Sequence, residues 1–148
     1  MTIRPLSLFL ENRPGQLRVP CKVLGDAGID ILTMSLADTQ QFGILRLVVK
    51  DWQKAKQALE GAGIVVNVTE VVAIDVPDKP GGLASVLEAF EKARLGVEYM
   101  YALDAGRERG RFATLIFRLG DPEKAAKLLR EEGVRLLTAE ELFERAGA

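Results

Sequence analysis

Apolar residues follow two different periods in the first part of the chain. Residues 6–10 alternate between leucine and other residues, and residues 72–76 repeat this alternation with valine and isoleucine. A period of two predicts a strand with one face on a core. The spacing then changes to i, i+3, i+4 and i+7, which predicts a helix with one apolar face. The apolar positions of these helices are Leu17, Pro20, Cys21, Leu24 and Ala27, then Leu83, Val86, Leu87, Phe90 and Ala93.

The remaining segments also come in matched pairs. Two further strands around a turn are expected at residues 28–38 and 42–50, and again at 96–104 and 111–119. A second helix follows each pair, with Asp51 or Asp121 as N-cap and Pro122 at the first helical position. Final strands are expected at residues 64–70 and 134–137. Thr138 and Glu141 have the capping-box spacing, which predicts a short closing helix.

The chain is an internal repeat. An offset of 66 residues superposes Pro14 on Pro80 and Met34 on Met100 without a gap. Beyond residue 38 the offset becomes 70, and the extra residues fall in the Gly-rich segment Gly106–Arg111, where a hairpin loop lengthens at little cost. Two copies in register are more economical to explain than two unrelated halves of similar composition.

The order of elements is strand-helix-strand-strand-helix-strand, twice. This is the split βαβ, ferredoxin-like pattern, in which one antiparallel sheet carries both helices on one face. We therefore predict an α+β protein of two ferredoxin-like βαββαβ units. The first is expected at residues 1–70, and the second at residues 71–148 with the short C-terminal helix.

Composition removes several classes of function. Twenty basic residues face 21 acidic ones, so the chain lacks the basic surface that nucleic-acid binding needs. No apolar run is long enough to span a membrane, and we recognise no signal peptide. The single cysteine, Cys21, suits a reducing cytoplasm. The chain has no histidine, which disfavours zinc sites and Ser-His or Cys-His nucleophiles. We expect no cofactor, no metal and no enzyme activity.

The turn after the first strand of each copy carries the most specific chemistry. Asn12 or Asp78 precedes a basic residue, then Pro-Gly, and a helix follows at once. Free backbone N–H groups at a helix N-terminus attract an anion such as a carboxylate. Asp78 would repel that carboxylate but attract an ammonium group. The alternative is an ordinary capped turn, because Asn and Asp cap helices and Pro-Gly makes turns.

The stretches "ENRPGQL" and "PDKPGGL" and the segments after them resemble the ACT domain, a small ligand-binding module of amino-acid-regulated proteins. The resemblance covers about residues 3–70 and 71–138. It implies that effector amino acids bind at these turns where two ACT units meet, and that the second strands line the ligand. The implied site residues are Asn12, Arg13, Gly15, Gln16, Leu17, Asp78, Lys79, Gly81, Gly82, Leu83, Tyr99 and Tyr101.

We therefore expect a cytoplasmic regulatory protein that binds an amino acid or a similar small carboxylate. A homodimer and a metabolic enzyme as partner are also expected, because sheet edges and one sheet face remain to be covered. The alternative is a structural or interaction module that docks to an enzyme without binding a ligand. An enzyme of small substrates is disfavoured because no pair of base and nucleophile is visible. The sequence identifies neither the ligand nor the binding half.

Overall fold

The structure is a computed structural model that describes residues 2–103 and 111–147. Most of the hairpin segment expected at Gly106–Arg111 lies outside these residues. The strands are β1 (Leu6–Glu11), β2 (Ile31–Thr39), β3 (Phe42–Val49), β4 (Val66–Val68), β5 (Val72–Pro77), β6 (Val97–Leu103), β7 (Phe112–Leu119) and β8 (Leu136–Leu137). The helices are α1 (Arg18–Asp26), α2 (Trp52–Gly61), α3 (Gly82–Lys92), α4 (Pro122–Glu131) and α5 (Ala139–Arg145).

The predicted α+β fold is confirmed. One four-stranded sheet has the order β2-β3-β1-β4 and the other has the order β6-β7-β5-β8. All of the paired strands are antiparallel. This is the βαββαβ pattern twice, as expected of two ferredoxin-like units.

The chain divides into two compact units. The first unit is Arg4–Thr69. The second unit consists of the chain from Glu70 onward together with the N-terminal residues up to Ile3. Ile3 forms an isolated antiparallel bridge with Val71.

Each unit has one core between its sheet and its first two helices. In the first unit the core joins the inner faces of β1 and β3 to α1 and α2, and its buried side chains include Leu8, Leu24, Leu45 and Leu59. In the second unit Phe90 of α3 packs edge-on against Phe117 of β7, with ring centroids 4.9 Å apart. The alternating strand pattern thus places one face of each sheet under a helix pair.

The predicted starts of α2 and α4 are confirmed. Asp51 accepts a hydrogen bond from the backbone N–H of Lys54 at 3.0 Å, and Asp121 accepts one from Lys124 at 3.2 Å. Pro122 occupies the first turn of α4, where a missing N–H costs nothing.

Helix α1 starts late, as Pro20 requires, and of its predicted apolar positions Leu17 falls before the helix. The turn takes up the residues before Leu17, so α1 begins only at Arg18 and Leu17 is 40% exposed instead of buried. Pro20 is then the third residue of the helix, within the first turn as its geometry requires. The final strands are also shorter than predicted, because β4 pairs with β1 only opposite Leu6–Leu8.

The closing helix α5 begins with the predicted capping box. The backbone N–H of Glu141 donates to the Thr138 hydroxyl at 3.1 Å, and the backbone N–H of Thr138 donates to the Glu141 carboxylate at 2.8 Å. Leu142 is fully buried, so α5 is packed onto the protein.

Acid is expected to weaken α5. The backbone N–H of Thr138 is the main cause that lowers the pKa of Glu141 below its ordinary value of 4.5. A lowered folded-state pKa stabilises α5 above pH 4.5, and this stabilisation is lost as the pH falls through the lowered pKa. Cα chemical shifts of Ala139–Arg145, followed against pH, measure the helix content. Glu141→Gln retains the capping geometry without titrating, so a pH dependence unchanged in this variant would contradict the prediction.

Candidate functional site

The Pro-Gly turns after β1 and β5 are type II turns. The N–H of Gln16 donates to the Arg13 carbonyl at 3.2 Å, and the N–H of Gly82 donates to the Lys79 carbonyl at 3.0 Å. Pro occupies the second position of each turn. Gly15 and Gly81 occupy the third position, with φ of 86° and 83°. This turn type requires a positive φ at its third position, which explains why glycine stands there in both copies.

The backbone of the two turns is hydrogen-bonded in the same way. The N–H of Asn12 donates to the Gln41 carbonyl at 2.9 Å, and the N–H of Asp78 donates to the Arg111 carbonyl at 2.9 Å. Both bonds tie the turn to the start of the neighbouring strand. The repeat therefore extends to the hydrogen bonds of the candidate site.

Neither α1 nor α3 has a side-chain cap at its N-terminus. The side chain of Asn12 instead donates to the Gln40 carbonyl at 3.4 Å. The N-cap positions of α1 and α3 are Leu17 and Gly81, so Asn12 and Asp78 do not occupy them. Since the first N–H groups of a helix have no acceptor within the helix, both N-termini present donors suited to an anion.

The first loop is open and carries basic side chains. Arg13 forms an ion pair with Glu11, and both side chains are more than half exposed. Arg18, the first residue of α1, is also exposed. Two guanidinium groups against one carboxylate leave a positive balance beside the helix N-terminus.

The second loop is tighter. Asp78 and Lys79 are exposed and balance in charge, whereas Gly82 is buried and begins α3. A methyl group on Gly82 would overlap the carbonyl oxygen of Pro77 and lie 2.9 Å from its carbonyl carbon. Leu83 packs against the core of the second unit. The counterpart of Gly82 is Gln16, so the first loop carries a side chain at a position where the second has none.

The tyrosines lie on a different surface from the second loop. Met100 pairs with the core residue Phe117, so Tyr99 and Tyr101 point to the sheet face opposite α3 and α4. Their rings are stacked with centroids 6.4 Å apart. The loop at Asp78–Leu83 instead leads into α3. Within the second unit, the structure does not gather all predicted site residues around one point.

The sequence alone did not reveal a buried charge cluster on that same sheet face. The side chain of Asp75 is only 7% exposed, and it accepts hydrogen bonds from Arg145 at 2.6 Å, Arg135 at 3.2 Å and Thr114 at 3.2 Å. The hydrogen bond to Asp75 is the main cause that raises the pKa of Arg145. The available signal was the repeat, because Asp75 stands where the first copy has Phe9.

Residues 2–103 and 111–147 contain no group of three or more acidic or cysteine side chains placed to hold a metal ion. No helix among them is long and apolar enough to cross a membrane.

Comparison with known proteins gives a family and a fold. The family model of the ACT domain pair matches residues 1–146. Protein BT0572 from Bacteroides thetaiotaomicron is 35% identical over 97% of each chain, with a TM-score of 0.86. No curated protein matches the chain.

Two solved structures of lower identity share the fold. The regulatory subunit of aspartate kinase from Thermus thermophilus, in its ligand-free form, is 17% identical with a TM-score of 0.59, over 89% of this chain and 91% of that one. The corresponding subunit from Thermus flavus is 14% identical with a TM-score of 0.60, over 88% and 93%.

Proposed function

The chain belongs to the ACT domain pair family, and from this membership we propose that it is a regulatory protein that binds an amino acid or a similar small carboxylate. The observation that carries the proposal is the pair of uncapped helix N-termini, each preceded by a type II Pro-Gly turn. The ligand carboxylate accepts hydrogen bonds from the first amides of the helix. The ligand ammonium group is held by Asn12 or Asp78 and by strand carbonyls.

The first loop is the better carboxylate site of the two. Pro20 contributes no N–H, so the donors of α1 are the amides of Arg18 and Val19. The basic side chains of Arg13 and Arg18 add a favourable field there. In the second loop the exposed carboxylate of Asp78 opposes an anion.

We propose that Tyr99 and Tyr101 contact a ligand held by another ACT unit. Because both tyrosine side chains face away from α3, they do not face a ligand bound at the loop of their own unit. Their stacked rings offer a flat apolar wall, although the hydroxyl oxygen of Tyr101 is itself buried. This arrangement agrees with a ligand held at an interface between ACT units.

Regulation requires that the ligand binds two states of the protein with different affinity. We place this switch in the cytoplasm, in agreement with the single cysteine, and assign it no catalytic step of its own. The regulated partner is a metabolic enzyme, which responds when ligand binding changes assembly or docking.

A thermal-shift screen of the twenty amino acids tests the proposal. A ligand at tenfold excess over its Kd stabilises the folded state by about 1.4 kcal/mol, which raises Tm by roughly 6–11 °C for a unit of this size. Gly15→Val is expected to abolish the shift, because a β-branched residue disfavours the positive φ of the turn. Gly81→Val has the same effect if the second loop binds.

Gly28→Val is the matched control. Gly28 also has a positive φ and open space around it, but it lies beyond the C-terminus of α1. Gly28→Val therefore introduces the same backbone strain without changing either Pro-Gly turn. Binding that survives both loop substitutions would refute the site. No shift with any amino acid would favour the alternative function, an interaction module that docks to an enzyme without a ligand.

A further inference from the structure

The outer face of the second sheet, opposite α3 and α4, is buried at its centre. Ala73 of β5 pairs with Leu137 of β8 and with Ile116 of β7, and Ile116 pairs with Tyr101 of β6. These residues form one line across the sheet. Ala73 and Ile116 are fully buried, and Leu137 is 5% exposed. Because α3 and α4 pack on the other face, a different element shields this line from water.

The contacts of α5 place this helix on the outer face. Arg145 of α5 donates to the carboxylate of Asp75 at 2.6 Å, and Asp75 lies two residues after Ala73, on the same side of β5. Leu142 precedes Arg145 by three positions, so both lie on one side of the helix, and Leu142 is fully buried. Helix α5 is therefore a cover for this face, with Leu142 as its apolar contact.

A cluster of charges fastens α5 at Asp75, whose side chain is only 7% exposed. Arg135, between α4 and β8, donates to Asp75 at 3.2 Å with one nitrogen and to Glu141 of α5 at 3.1 Å with another. Thr114 of β7 donates to the carboxylate of Asp75 at 3.2 Å. We call Asp75, Arg135, Glu141 and Arg145 the latch, because their ion pairs join α5 to the residues beneath it.

The latch opens without isolating Asp75. When α5 leaves the face, Asp75 keeps the hydrogen bonds from Arg135 and Thr114, which are not part of α5, and its carboxylate regains water. It therefore avoids the penalty of a buried charge without a partner. Helix α5 has only seven residues, fewer than an isolated helix needs to be stable in water, so it is helical because it is docked. Release of α5 thus costs less than unfolding of the sheet.

We propose that α5 is a lid that opens as one piece while the second sheet stays folded, and that the latch controls how often it opens. Opening brings the line of Ala73, Ile116 and Leu137 into contact with water, on the face that also carries Tyr101. In the first unit the chain continues from β4 into β5 instead of a closing helix, and Phe9 replaces Asp75. The second unit thus gains a closed and an open form of one face, which is the two-state element that regulation needs.

Native-state hydrogen exchange of the full chain, measured by NMR without ligand, tests the lid. The N–H groups of Leu142 and Ala146 donate to the carbonyls of Thr138 and Leu142, so they report the closed helix. Their protection factors are expected to be about a tenth or less of those of the paired amides in β5 and β7. Arg145→Gln removes the charge that α5 places on Asp75. It is expected to lower α5 protection by a further factor of about ten and to leave β5 and β7 unchanged.

Glu144→Gln is the matched control, because Glu144 is an exposed residue of the same helix outside the latch, and its substitution also removes one charge. Protection of α5 is expected to stay within about twofold of wild type. Equal protection of α5, β5 and β7 in the wild-type chain overturns the proposal, since the helix then opens only when the unit unfolds. So does an Arg145→Gln chain in which α5 exchanges as in wild type, or loses protection only in step with β5 and β7. No ligand is present, so this failure is distinct from failure of the proposed ligand site.

Discussion

Gly82→Ala is expected to lower the free energy of unfolding of the second unit by about 3 kcal/mol. The added methyl group would overlap the carbonyl oxygen of Pro77, which is part of the backbone and cannot rotate away. The same carbonyl accepts a hydrogen bond from the N–H of Lys79 at 2.9 Å, so a shift of Pro77 also disturbs the turn. The first turn of α3 must therefore move. Urea unfolding followed by far-UV circular dichroism measures the loss.

Gly96→Ala is the matched control in the same unit. Gly96 has no positive φ and no atom near the position of an added methyl group, so its substitution is expected to stay within about 0.5 kcal/mol of wild type. Gln16→Ala at the corresponding position of the first unit should be equally mild. If Gly82→Ala were as mild as these two variants, the close contact with Pro77 would not exist in solution.

The sequence was sufficient for the fold because each signal was local and occurred twice. Asp51 and Asp121 cap their helices, and Thr138 with Glu141 forms the capping box, since these contacts join residues three positions apart. The alternation in β1 and β5 identified the core face for the same reason. A local pattern predicts a local contact well.

The sequence was not sufficient for the loops. Leu17 and Leu83 occupy the same repeat position, yet Leu17 is exposed before α1 and Leu83 packs against the core. The preceding position also differs, because Gly82 lies against the Pro77 carbonyl where no side chain fits, whereas the first unit has Gln16 there. Such a contact depends on the path of the chain in three dimensions, which the apolar spacing does not encode.

The neighbours of residues on the outer faces of the sheets can be identified only from the strand register. Asp75 within an apolar strand and Phe9 in its place are visible in the sequence, but their neighbours are not. Only the pairing shows that Arg135 flanks Asp75 and that Val65 flanks Phe9. The two copies therefore share their cores and differ on the outer faces of their sheets.

Phe117→Ala is expected to lower the free energy of unfolding of the second unit by about 4 kcal/mol. Phe117 is fully buried on β7, and its ring packs edge-on against Phe90 of α3 at 4.9 Å. The substitution removes the apolar contacts of a whole ring and leaves a cavity between the sheet and the helix. The aromatic pair adds a smaller contribution that is also lost. The midpoint of urea unfolding and the exchange of amides in β5 and β7 both report the loss.

Phe117→Leu separates the cavity from the aromatic contact. The corresponding residue of the first unit is the fully buried Leu47, so the fold already accommodates leucine at this place. We expect Phe117→Leu to cost about 1.5 kcal/mol, well below the alanine variant, because most of the volume is retained. Phe112→Ala on the same strand removes an exposed ring and is expected to change stability by less than about 0.5 kcal/mol. Equal losses for Phe117→Ala and Phe112→Ala would contradict the placement of Phe117 in the core.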